Sequence, residues 1–236
     1  MYFESSFPVT IGSELEYLQE YEGEFLEESD TYFPRQLILD QIMDIPEETR
    51  LKIQYDYYLG VDVARYGLDD TVYTVARVSR DGQIHIVFVR GTTKKPITDI
   101  VGRVQQLHAS FKFRGVYIDA SGVGGGAVDS LKEKGIPIRQ LNIGKSNTQS
   151  PHDGVQFTLM NKEEMYKNLK LLMEQGKLWF PNHKKLIFQL SDLQYEYTEA
   201  GHQKIHHPEN GHDDYPDSLA LAVAALIKRT YKPFIA

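Results

Sequence analysis

The hydrophobic period changes between Tyr57 and Phe111, and that change constrains the fold more than any other feature of the chain. Residues 57–64, 71–79 and 83–90 are rich in β-branched and aromatic side chains and read as three strands. Asp69 and Asp70 fall between the first two and read as turn residues. Arg80-Asp81-Gly82 joins the second to the third with an Asp-Gly hairpin turn. Short connections of this kind imply an antiparallel meander. From Pro96 the period becomes helical, with Ile97, Ile100, Val101, Val104, Leu107 and Phe111 on one face.

Further on, Val116–Asp119 reads as a short apolar strand, and Gly122–Gly126 as a glycine-rich turn into a helix over 127–134. A fifth strand is expected over 136–143, a loop over 144–160, and a helix over 161–175 with Asn161 as N-cap and Gly176 as its stop. Leu178–Phe180 suits a short strand, 184–193 a helix, and 194–206 a hairpin turning near Ala200-Gly201. Pro216 lies in the first turn of a last helix reaching about Lys228. The expected fold class is α/β: a mixed sheet, three antiparallel strands followed by parallel ones, with helices on both faces. The domain division expected is an acidic, aromatic arm or linker over 1–50 and one domain over 51–236. Tyr17, Tyr21 and Phe25 give the arm one helical stripe, which either packs on the domain or belongs to a linker.

Acids occupy positions where a core would be apolar. Asp62 ends the strand LGVD, and a lone buried carboxylate costs about 3 kcal/mol. Asp119 ends GVYID where glycine-rich backbone begins, and ligand sites of open α/β sheets lie beyond strand carboxyl ends. Asp213, Asp214 and Asp217 crowd the start of the last helix, spaced so that pairs share a face. Each has an ordinary alternative. Asp62 suits a strand-end hydrogen bond, Gly122–Gly126 a plain connection, the trio a helix cap, and His212 a turn residue or a donor to a neighbouring ligand. Taken together they suit a divalent metal: Mg²⁺ takes oxygen ligands, and two such ions about 4 Å apart can hydrolyse a phosphodiester.

Composition supports this without deciding it. Net charge is −7, but nine acids and no Lys or Arg lie in residues 1–34, leaving 24 acids against 26 bases in the remainder. Such a surface tolerates DNA. The absence of cysteine excludes disulfides, thiolate zinc sites and a cysteine nucleophile. No apolar run reaches membrane-spanning length and no signal pattern opens the chain, so no membrane partner is expected. Gly144-Lys145-Ser146 fails as a phosphate loop because Arg139 stands where glycine is required. Lys145, Lys162, Lys167, Lys170, Lys184 and Lys185 either track DNA backbone or lie on solvated helix faces.

GVDVARYGLDDT, VYIDASGVGGGAVDSL, NKEEMYKNLKLLMEQGKLWFP and HDDYPDSLALA, over roughly residues 55–230, resemble the nuclease domain of the large terminase subunit of tailed bacteriophages. The resemblance implies a ribonuclease H-like fold and an endonuclease that cuts concatemeric viral DNA during genome packaging, using Mg²⁺ or Mn²⁺ and two ions. It implies Asp62 and Asp119 as catalytic metal ligands and a third in the HDD stretch, where Asp214 is the first choice and Asp213 and Asp217 are alternative or further ligands. Double-stranded DNA, a portal protein, a small terminase subunit and an ATPase domain are the implied partners, in the host cell cytoplasm. The hairpin at 194–206 resembles one near that family's active site. No Walker A match occurs, so the expectation is an isolated nuclease half, excised or a split product. Two other readings stand beside it: an actin-like or sugar-kinase ATP-binding fragment, and a non-catalytic DNA- or portal-binding module.

Overall fold

The computed structural model describes residues 31–64, 70–93, 95–119, 125–141, 162–198, 203–209, 211–224 and 226. Along them run α1 (Arg35–Leu39), β1 (Asp56–Asp62), β2 (Asp70–Val78), β3 (Ile84–Thr93), α2 (Ile97–Phe111), β4 (Gly115–Asp119), α3 (Gly125–Glu133), β5 (Ile138–Leu141), α4 (Lys162–Glu174), β6 (Leu178–Trp179), α5 (Lys184–Asp192), β7 (Gln194–Tyr197), β8 (Gln203–His206) and α6 (Asp214–Val223). The arm stripe at Tyr17, Tyr21 and Phe25, the glycines 122–124, the loop 144–160, Asn161 and the hairpin tip at Ala200-Gly201 lie outside the described residues.

Six strands form one sheet in the order β5-β4-β1-β2-β3-β6. β1, β2 and β3 are antiparallel neighbours, while β4 pairs parallel with β1 and β5 parallel with β4. This is the expected meander followed by parallel strands, a ribonuclease H-like arrangement. Parallel pairing needs a crossover, which α2 and α3 provide. β7 and β8 form a separate two-stranded hairpin, as expected.

The two-residue period of the strands sorts the core into two layers. Leu59, Val61 and Val63 pack with Val104, Leu107 and Phe111 of α2 and Val128 and Leu131 of α3. Tyr58, Val72 and Ala76 face the other way, onto Met165 and Leu169 of α4, Leu186 and Leu190 of α5, and α6. All of α6 from Tyr215 to Val223 is buried, so it is a central helix and not an amphipathic one. Leu219 and Leu221 each contribute about 2 kcal/mol by burial.

Several boundaries differ from the sequence reading. β1 stops at Asp62, two residues early. β2 starts at Asp70, so this residue is a strand residue and not a turn residue. The reason is pairing: Asp70 lies opposite Thr93, whose hydroxyl donates to Asp70 Oδ1 at 2.7 Å, and β3 is lengthened to match. Residues 31–55 are joined to the sheet. Tyr32, Phe33 and Ile38 are buried in the α4–α6 layer, and Tyr32 N–H donates to Leu193 O at 2.7 Å.

Candidate active site

Asp62 and Asp119 end neighbouring parallel strands at the same level. The β1–β4 register runs to Val61 opposite Ile118, which places the two aspartates one step beyond. Alternation turns Asp62 to the face of Tyr58 and Gly60, where α6 lies.

The approach of α6 depends on two small residues. A Cβ on Gly60 would lie 2.1 Å from the Ser218 carbonyl oxygen and 2.4 Å from the Ala222 nitrogen, so only glycine admits the helix this close. Ser218 Oγ lies 3.2 Å from Gly60 O, 3.1 Å from Val72 O and 2.9 Å from Thr74 Oγ1, which anchors the helix to β1 and β2 together. The consequence is electrostatic. Burial raises the Asp62 pKa well above the carboxylate range, and Asp217, Asp214, Asp119 and Asp213, in that order, raise it further. The five acids singled out in sequence therefore share one end of the sheet. His212 is exposed just before α6.

Two of the five already face a cation. Lys162, at the start of α4, contacts Asp213 Oδ2 and lies 3.0 Å from Asp217 Oδ2. One turn later Tyr166 donates its hydroxyl to Asp217 Oδ1 at 2.6 Å. Burial pushes the Asp217 pKa up to about 6 even though Lys162 and Tyr166 act against it. Burial lowers the Lys162 pKa, but Asp217 and Asp213 outweigh it and leave the ammonium above its ordinary value.

A further group flanks Asp214. The Asp70 N–H donates to Asp214 Oδ2 at 3.3 Å. Asp70 Oδ2 in turn accepts from Lys185 Nζ at 2.9 Å, and the Tyr215 hydroxyl lies 3.5 Å away. Burial tends to raise the Asp70 pKa, but Lys185 and Thr93 outweigh it and keep it below its ordinary value. Lys185 is exposed and its ammonium also lies over the Tyr215 ring at 5.7 Å.

The lysines read in sequence as one group thus separate. Lys162 enters the acidic cluster, Lys185 stands at its rim, and Lys170 is used structurally, donating to Tyr32 O at 2.9 Å. Lys167 and Lys184 are exposed, and Lys145 lies outside the described residues. Tyr166 and Asp70 had no reading as site residues. The available signal was spacing: Lys162 and Tyr166 are four apart, as are Asp213 and Asp217.

The donor set fits a hard divalent cation. It consists of carboxylate oxygens, in a chain with no thiolate, around an Asp62 that makes no salt bridge among the described residues. Among the described residues no three such side chains already meet at metal-holding distance, and Asp213 and Asp217 are turned to Lys162. No helix among the described residues is long and apolar enough to cross a membrane.

No family model matches the chain. The large terminase subunit of Thermus virus P23-45 is 30% identical over 217 residues, which covers 89% of this chain and 41% of that protein. The crystal structure of the large terminase nuclease from thermophilic phage G20c with bound magnesium superposes with a TM-score of 0.65 at 26% identity, over 84% of this chain and 99% of that one. The chain resembles a large terminase nuclease domain in both sequence and fold. The terminase nuclease of phage P74-26 gives a TM-score of 0.60 at 26% identity, over 79% of this chain and 92% of that one. The G20c terminase nuclease has also been crystallised with cobalt. This chain spans about two fifths of the length of the curated terminase relatives it matches.

Proposed function

We propose that this chain is a divalent-metal-dependent DNA endonuclease that cuts concatemeric viral DNA during genome packaging. One observation carries the reading: Asp62 and Asp119, level at the ends of adjacent parallel strands, stand among the acids of α6 on a fold shared with a magnesium-bound terminase nuclease. Asp62, Asp119 and Asp214 would hold the metal, as Mg²⁺ or Mn²⁺ and as a pair of ions, with Asp213 and Asp217 within reach. The chemistry such ions supply when bound is activation of a water and stabilisation of the leaving oxygen of a phosphodiester.

The chain's own residues prepare the site. β1 and β4 hold Asp62 and Asp119 on rigid strands. The Asp70 N–H fixes one oxygen of Asp214. Lys185 presents an ammonium at the rim, where a DNA phosphate approaching the acids meets positive charge first. Double-stranded DNA is the substrate. The portal protein, the small terminase subunit and an ATPase domain are proposed partners, in the host cytoplasm.

The test is supercoiled plasmid incubated with the protein in Mg²⁺, in Mn²⁺ and in EDTA, beside Asp119→Ala. Nicking that needs metal and disappears in the variant is the expected result. Nicking retained by the variant overturns the assignment, and DNA binding without cleavage under either metal supports a binding module instead.

A further inference from the structure

Lys162 is unusual for a lysine. Its side chain is 19% exposed, and its ammonium lies between the carboxylates of Asp217 on α6 and of Asp213, the N-cap residue of α6. Tyr166, below it on α4, is fully buried and holds the second oxygen of Asp217. α4 therefore meets the start of α6 with two donors one turn apart, and the N-cap and first turn of α6 answer with two acids one turn apart. The Asp217 N–H also donates to Asp213 O at 2.8 Å, so the acids are fixed to each other by backbone. Among the described residues no such cation forms a salt bridge with Asp62, which faces the same carboxylates.

We infer that Lys162 is a resident cation of the acidic cluster, taking the position between Asp213 and Asp217 that a divalent ion would otherwise take. It is a positioning residue: by bridging these two acids and offsetting part of their charge it holds the first turn of α6 on α4 and keeps Asp214 beside Asp62. The exogenous metal is thereby directed to Asp62, Asp119 and Asp214. This deepens the nuclease reading of the same site, but its test reads folding and metal binding, so it fails or stands apart from DNA cleavage.

The experiment is thermal unfolding in EDTA and across a Mn²⁺ titration, for wild type, Lys162→Met, Lys162→Arg and the double variant Lys162→Met with Asp217→Asn. In EDTA, Lys162→Met should melt about 10 °C below wild type, since it leaves the buried Asp217 and the half-buried Asp213 without a counter-charge. Mn²⁺ should recover most of that loss, a larger rise than in wild type, and Lys162→Arg should need no metal. The double variant should melt above the single one, because the more deeply buried of the two uncompensated charges is gone. Two outcomes overturn the inference: Lys162→Met melting as wild type in EDTA, or a loss that Mn²⁺ does not recover beyond its wild-type effect. If Lys162→Met does not fold, the double variant decides, and its failure to restore folding overturns the inference as well.

Discussion

The carbonyl oxygen of Ser218 lies 2.1 Å from the point where a Cβ on Gly60 would sit. That relationship sets the distance between α6 and β1, and with it the distance between the acids of the helix and Asp62. Gly60→Ala forces two pieces of backbone apart, and backbone yields less readily than a side-chain tip. We expect a loss of about 3 kcal/mol, at the upper end of overpacking costs, measured by urea unfolding, together with loss of cleavage.

Asp62→Asn should separate stability from activity. The wild-type carboxylate is held among four acids that disfavour its charge. The amide removes that repulsion, so in EDTA the variant should be more stable, by about 1 kcal/mol. Changing a group behind a metal ligand commonly costs 10–100-fold, so changing the ligand itself should reduce plasmid nicking at least ~100-fold. A variant that is both destabilised and active would contradict the site.

Tyr166→Phe removes one hydroxyl and nothing else. Asp217 Oδ1 then loses its 2.6 Å partner inside the core. The expected cost is about 2 kcal/mol, from an acceptor left unsatisfied in a buried position. Because Tyr166 helps hold Asp217 in its charged form, the Asp217 pKa should rise further above about 6, measurable by carboxyl carbon NMR.

Acid sensitivity should have a source far from the acidic cluster. Glu48 is buried and joins Lys52 at 2.7 Å, Arg77 at 2.6 Å and the Tyr57 hydroxyl at 2.6 Å. Burial would raise its pKa, but these three partners outweigh it and hold it below its ordinary 4.5. The folded state is therefore the stronger acid. Its stabilisation is complete above about pH 4.5 and is lost as pH falls through the folded pKa. Glu48→Gln should cost about 3 kcal/mol at pH 7, with the difference from wild type shrinking below pH 4.5. A difference that stays constant down to pH 3 would remove Glu48 from the account.

Lys185→Ala should weaken DNA binding without destabilising the fold, since the side chain is 64% exposed. If its ammonium meets one phosphate, the slope of log K against log salt should fall by about 0.9. An unchanged slope would place Lys185 outside the DNA path and leave it its contacts with Asp70 and the Tyr215 ring.

The meander, the parallel strands and the five acids were legible because each is a local pattern. Asp62 and Asp119 interrupt apolar runs, and the trio before Leu219 exceeds what a helix cap requires. Asp70 was misread because Asp next to Asp favours turns, whereas its pairing partner Thr93 lies 23 residues away. Lys162 was read as a DNA-tracking or solvated lysine, and Tyr166 only as part of a helix. Their partners are 51 to 55 residues distant, and the four-residue spacing on both helices does not by itself tell a lysine that enters a core from one that faces water.

The segment before the sheet has a protective consequence. β6 is only two residues long, and beyond it Phe180 N–H donates to Gln41 O at 3.0 Å while Met43 N–H donates to Phe180 O at 3.0 Å. Residues 41–43 thus occupy hydrogen-bonding positions that a bare sheet margin would offer to a neighbouring molecule. A version of the protein trimmed to begin at residue 51 would uncover that margin along with the aromatic pocket of Tyr32 and Phe33. It would self-associate edge to edge, and colloidal behaviour, not catalysis, would be the first property lost.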